Sequence, residues 1–104
     1  MSGAELAARV TAAAAVLADY QREAAAADVA GRAMWGARLA DTLGYLLAGL
    51  AQPASAGVLP DGSAWLTAAD VGTVLGALHE CAVAAGPDRQ PRYAALARAL
   101  GGDR

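Results

Sequence analysis

His79 and Cys81 carry the widest chemical repertoire in this chain, and their spacing limits what they do together. Two positions apart on a helix, their side chains diverge by about 200°. They therefore cannot grip one metal ion or face each other as a Cys-His nucleophile pair. The sequence holds no second His or Cys, whereas a zinc site takes three or four such ligands. Both residues read as structural: His79 as a boundary residue beside Gly72 and Gly76, Cys81 as a small buried hydrophobe. The carboxylates Asp41, Asp70 and Glu80 each have a local explanation in helix capping or charge balance. Neither GxGxxG nor GxxxxGK[ST] occurs, and without any lysine the cation of a P-loop is missing. No residue is assigned to catalysis, to a cofactor or to a metal, and the chain is expected not to be an enzyme.

Arginine is the other candidate chemistry. Arg89, Arg92, Arg98 and Arg104 fall near the C-terminal end with only Asp88 and Asp103 against them. Two readings stand: Arg89, Arg92 and Arg98 contact an acidic partner or a phosphate backbone, or they balance a helix C-terminus and hold a solvated face. A net charge of -2 and a pI near 5.1 count against nucleic acid. The aromatic residues Trp35, Tyr45, Trp65 and Tyr93 read either as the lining of a small pocket or, more simply, as core.

Composition sets the physical problem. The chain has 104 residues, roughly thirty of them alanine, and no Lys, Ile, Phe or Asn. A globule of this length buries about two thirds of its unfolded surface. With so few large apolar side chains the core is thin, while low net charge and abundant alanine favour ordered helix over disorder. The all-arginine basic set points to GC-rich coding. Small side chains bury little area each, so such helices gain by close approach or by association with a second copy or another protein. A lone cysteine excludes an intrachain disulfide and fits a reducing, cytoplasmic setting. No leader pattern opens the sequence, and the apolar run 42–51 is too short to cross a bilayer.

The elements follow from ends and periodicity. Residues 66–87 (LTAADVGTVLGALHECAVAAGP) hold a complete set of signals: a Thr67/Asp70 capping box, Leu66 and Val71 at staple spacing, and a left-handed Gly86 stop before Pro87. Val71, Val74, Leu75, Leu78, Cys81, Ala82 and Ala85 form its inner face. Ser2 and Glu5 repeat the box at the start of a first helix, whose stripe is Leu6, Val10, Ala13, Leu17, Tyr20, Ala24 and Ala27, with Glu5 and Arg9 placed to pair. The stripe loses phase near residues 28–31. Asp28, paired with Arg32, then caps a second helix and Gly31 relaxes the end of the first; the alternative is one helix over 4–51.

The second helix has a large apolar side (Trp35, Leu39, Leu43, Leu46, Leu50) and a small one (Ala33, Gly36, Ala37, Ala40, Gly44, Ala48), which places it at the centre. Residues 52–66 form a connector with a turn at Leu59-Pro60-Asp61-Gly62, where Val58-Leu59 and Trp65-Leu66 could pair as a minimal hairpin. A short last helix opens at Pro91, buries Tyr93, Leu96 and Leu100, and stops at Gly101. The expectation is an all-α bundle in a single domain 1–104, with four helices near 3–27, 29–51, 68–85 and 91–100.

The segments LTAADVGTVLGALHECA and RYAALARAL resemble small uncharacterised actinobacterial proteins associated with phages or mobile elements. Those proteins share a Leu-Thr-x-x-Asp-Val-x-x-Val-x-x-Ala-Leu helix and a later Tyr-x-x-Leu-Ala helix. The resemblance covers less than half the chain and implies an origin. The Cys and His that such relatives carry between these helices have no counterpart in residues 86–91, so it implies no metal site here. Secreted helical hairpins marked by Trp-x-Gly match in size but not in motif, since Trp35 adjoins Gly36 directly. The functional expectation is a non-enzymatic interaction or assembly module. It self-associates or binds a protein through Leu6, Val10, Leu17, Tyr20, Trp35, Leu39 and Leu43, with the alternative of a regulator contacting nucleic acid or an acidic partner through Arg89, Arg92 and Arg98. No membrane association is expected.

Overall fold

A computed structural model describes residues 2–50, 58–59 and 62–100. The chain is an all-α bundle: α1 (Gly3–Glu23), a 3₁₀ turn (Ala24–Ala26), α2 (Val29–Ala48), α3 (Ala68–Ala85) and α4 (Gln90–Ala99). Each start has a local cause. Ser2, Asp28 and Thr67 stand in extended backbone and accept from the amides of Glu5, Gly31 and Asp70, and at α3 the Asp70 carboxylate returns a bond to the Thr67 amide. At α4, Pro91 occupies the first turn, where its missing N–H costs nothing.

The ends differ from expectation in instructive ways. The first two helices are separate, yet α1 stops at Glu23 rather than 27. Asp28 must be extended to cap α2, and the tighter 3₁₀ turn lets three alanines bring the chain round to it. Gly31 lies inside the first turn of α2, not at the end of α1, and a Cβ there would come within 2.8 Å of Ala27 Cβ. α2 ends at Ala48, and α4 begins and ends one residue earlier than expected. Gly86 does stop α3, but not in the left-handed helical conformation: φ 81° with ψ 178° is an extended form essentially reserved for glycine. Its carbonyl then accepts from the Arg89 and Gln90 amides, turning the chain into α4.

Among the described residues of the connector, Val58 forms an antiparallel bridge with Ala64 rather than with the Trp65-Leu66 pair expected from sequence, and the Leu59 amide donates to the Ser63 carbonyl at 2.8 Å. The Pro60-Asp61 centre of that turn, the Gly101 stop and Arg104 lie outside the described residues.

α2 is central, packing against α1, α3 and α4. Arg9 near the start of α1 bonds Tyr45 near the end of α2, so these helices run antiparallel, and Ala33 opposite Cys81 gives the same sense for α2 and α3. Leu39, Leu43, Leu46, Val74, Leu78 and Leu100 are fully buried, and each contributes about 1.5–3 kcal/mol on removal from water. Tyr93 and Leu96 join them from α4.

Gly86→Ala is expected to destabilise the fold by about 1–3 kcal/mol, because the strain follows from the backbone angles and not from crowding. Gly72→Ala, inside α3 with open space around the added Cβ, is expected to stabilise it by about 0.5–1 kcal/mol. Urea unfolding of the two variants measures both.

Candidate interaction surface

α2 and α3 meet through small atoms. A Cβ added to Gly36 would collide with Cys81 Sγ and touch the Ala77 carbonyl oxygen, and the Cys81 thiol lies 3.6 Å from the Ala33 carbonyl it can donate to. Burial, and then the neighbouring Glu80 charge, pushes the Cys81 thiol above its ordinary pKa. Tyr20 is likewise raised, first by burial and then by the charges of Glu80 and Cys81, with Arg32 opposing. The Asp70 carboxyl is held below its ordinary value, first by the Gln21 side-chain amide donating at 2.9 Å and then by Thr67. The Gln21 bond also ties the first turn of α3 to α1.

His79 faces outward, away from Cys81. It stands in the wall between an open groove of about 460 Å³, formed by α3 and α4, and a second of about 270 Å³, formed by α2 and α3. Leu75, Leu78, Ala82 and Val83 floor the first, with Gln90 and Tyr93 at its edge. Val29, Ala33 and Val83 line the second, where Arg32 and Glu80 pair at 3.7 Å. Val83 and Val29 are among the most exposed large apolar side chains, at 68% and 71%.

The residues picked from sequence as a partner seam lie elsewhere. Leu17, Leu39 and Leu43 are buried in the core, and Leu6, Val10, Tyr20 and Trp35 are half-buried. The stripe is therefore largely the inner face of the fold, because α1 folds back on α2 and uses it. The three C-terminal arginines do not form one patch. Arg92 pairs with Asp41 of α2, Arg89 lines a small cleft beside Cys81 and Tyr93, and Arg98 stands about half a turn round from Arg89 in the last turn of α4. Nor does Arg9 pair with Glu5 or Arg32 with Asp28: Arg9 reaches the Tyr45 carbonyl and ring, and Arg32 the Ala27 carbonyl and Glu80. Of the aromatic residues, Tyr93 is core, while Tyr45 is 57% exposed.

Val29, Val83 and Met34 are exposed residues that sequence reasoning missed, and Tyr45, read there as pocket lining or core, is exposed as well. Val83 had a signal, since it falls off the Val74-Leu78-Cys81 stripe and so must face away from the core. α3 has the length and apolar composition of a short membrane span, and in the bundle Val74, Ala77, Leu78 and Cys81 are fully buried while Val71, Leu75, Ala82 and Ala85 pack half-buried against the core. Comparison with protein-family models, with curated proteins and with solved structures finds no match to this chain.

Two outcomes test the α2–α3 contact. Gly36→Ala is expected to cost about 1–3 kcal/mol through overpacking, and in the Cys81→Ala background much less, a coupling of about 1 kcal/mol in a double-mutant cycle. Because the raised thiol keeps its proton longer in the folded than in the unfolded chain, the unfolded state ionises first. Stability is therefore flat with pH below the ordinary value of 9.0 and falls as pH rises through it. Urea unfolding across that range should show a steeper loss for the wild type than for Cys81→Ala.

Proposed function

We propose that this protein is a helical interaction module, without catalytic activity of its own, that self-associates through the outward side of α3. The observation that carries the reading is the outward side of α3, where Gly72, Gly76, His79 and Val83 lie exposed within about 60° of one another on a helix that carries only two charged residues, Asp70 and Glu80. Helices on the surface of a bundle ordinarily show charge outward. Here the outward positions include Gly72, Gly76 and Val83, and the Glu80 charge beside them is paired with Arg32. The open space over Gly72 and Gly76 lets a second helix approach closely, and Val29 and Val83 extend the apolar area on either side of the α2–α3 groove. A contiguous patch of this kind is a normal mark of a protein contact. The buried, unpaired Cys81 suits a reducing compartment such as the cytoplasm.

Sedimentation velocity over about a hundredfold range of concentration should show a reversible shift to dimer or a larger species, as mass action requires. Val83→Arg should return the monomer at every concentration, with the unfolding midpoint that the wild type shows at concentrations where it too is monomeric. A wild-type chain that sediments as monomer throughout overturns the reading.

A further inference from the structure

Guanidinium groups from three helices converge on the outward side of α2, away from the surface discussed above. Met34, Arg38, Asp41 and Tyr45 fall within about 60° around that helix. Arg9 arrives from α1: its guanidinium carbon stands 4.1 Å from the centre of the Tyr45 ring and its Nη1 donates to the Tyr45 carbonyl at 2.8 Å. Arg38 lies 5.2 Å from the Trp35 ring centre. Arg92 arrives from α4 to pair with Asp41. Three cations and one carboxylate thus share one face of a chain whose net charge is -2. Among the described residues neither Arg9 nor Arg38 has a carboxylate partner, while Met34 and Tyr45 leave 61% and 57% of their surface exposed.

We propose that this face binds an acidic amphipathic helix of a partner protein, whose carboxylates meet Arg9 and Arg38 and whose apolar side rests on Met34 and Tyr45. Charge complementarity is the first argument. Arg9 and Arg38 carry uncompensated charge, and the aromatic rings beneath them hold the planar groups in place, so less side-chain freedom is lost when a carboxylate binds. Dimension is the second. Met34 and Tyr45 stand about 16 Å apart along α2, the reach of three helical turns, which matches the anchor spacing of a helix laid on an apolar surface. A phosphodiester backbone brings charge without apolar anchors, whereas the exposed Met34 and Tyr45 beside the cations suit a helix that carries both. The Arg9 guanidinium also covers one face of the Tyr45 ring, on which a base would stack. The inference goes beyond self-association and uses residues that Val83→Arg does not touch.

The test is selection of helical peptides from a random display library against the full-length chain. The expected consensus places Leu, Met or Phe at i, i+4, i+7 and i+11, so that its ends reach Met34 and Tyr45, with Asp and Glu flanking them. Affinity of the synthetic consensus peptide should fall about tenfold with Arg38→Glu and also with rising salt, while the circular dichroism spectrum of the variant stays that of the wild type. Four outcomes overturn the proposal. The library yields no binder, or binders without acidic enrichment; the consensus peptide binds Arg38→Glu as well as wild type; single-stranded oligothymidylate binds more tightly than the peptide, which assigns the face to nucleic acid; or Arg38→Glu abolishes self-association, which assigns it to a second copy.

Discussion

Everything in this fold depends on how closely α2 and α3 approach at Gly36. A chain with some thirty alanines has little apolar area to bury per residue, so its cohesion must come from short separations and many dispersion contacts rather than from large side chains. The missing Cβ at Gly36 brings Cys81 Sγ and the Ala77 carbonyl against the α2 backbone, and Ala40 and Ala77 are buried beside them. Leu39, Leu43 and Leu46 lie within about 80° of Gly36 around α2, so the same inward side that is fitted to α3 also carries the large side chains into the core. The large residues are concentrated where one helix can serve several neighbours, which is the economical way to use few of them.

That concentration leaves a consequence at the surface. Val74, Ala77, Leu78 and Cys81 are the fully buried part of α3, Val71, Leu75, Ala82 and Ala85 pack half-buried beside them, and the remaining side carries few charges, with Glu80 paired to Arg32. Val83 and Val29 stay outside because the core is complete without them. Exposed single hydrophobes are ordinary, but two of them bracketing a groove whose one ion pair is internally satisfied form an apolar area rather than scattered residues.

Helix ends were legible in the sequence because their causes are local. Ser2, Asp28, Thr67 with Asp70, and Gly86 act within a few residues, and all four mark real boundaries, even though Gly86 uses an extended rather than a helical angle. The inner faces of α3 and α4 were legible from periodicity for the same reason. What could not be read was pairing at a distance. The Glu5-Arg9 and Asp28-Arg32 spacings are favourable, but Arg9 finds an aromatic ring and a carbonyl 36 residues away, and Arg32 finds Glu80 on α3. A surface i,i+4 pair is worth only about 0.3–0.5 kcal/mol, so any better-placed tertiary partner displaces it. The stripe of α1 was seen correctly as apolar, but its periodicity is the same whether it meets α2 of its own chain or another molecule. The hinge near residue 28, which decides between the two, is set by the short 3₁₀ turn.

The interior contact and the basic face belong to one helix, and the geometry links them. Gly36 lies roughly opposite the sector holding Met34, Arg38, Asp41 and Tyr45. Once the glycine must sit against Cys81 and Ala77, the rotation of α2 is fixed, and those four residues have to point outward together. Arg9 and Arg92 then meet them from α1 and α4, since both helices flank the same central one. The composition of the exposed face is thus a consequence of the one place in the core where a methyl group does not fit. A side chain at position 36 would move the core contact and turn the outward face at the same time. Hydrophobic burial is non-directional, whereas arginine-carboxylate recognition depends on orientation. A rigid small-residue contact beneath the surface therefore does more for the second kind of interaction than for the first.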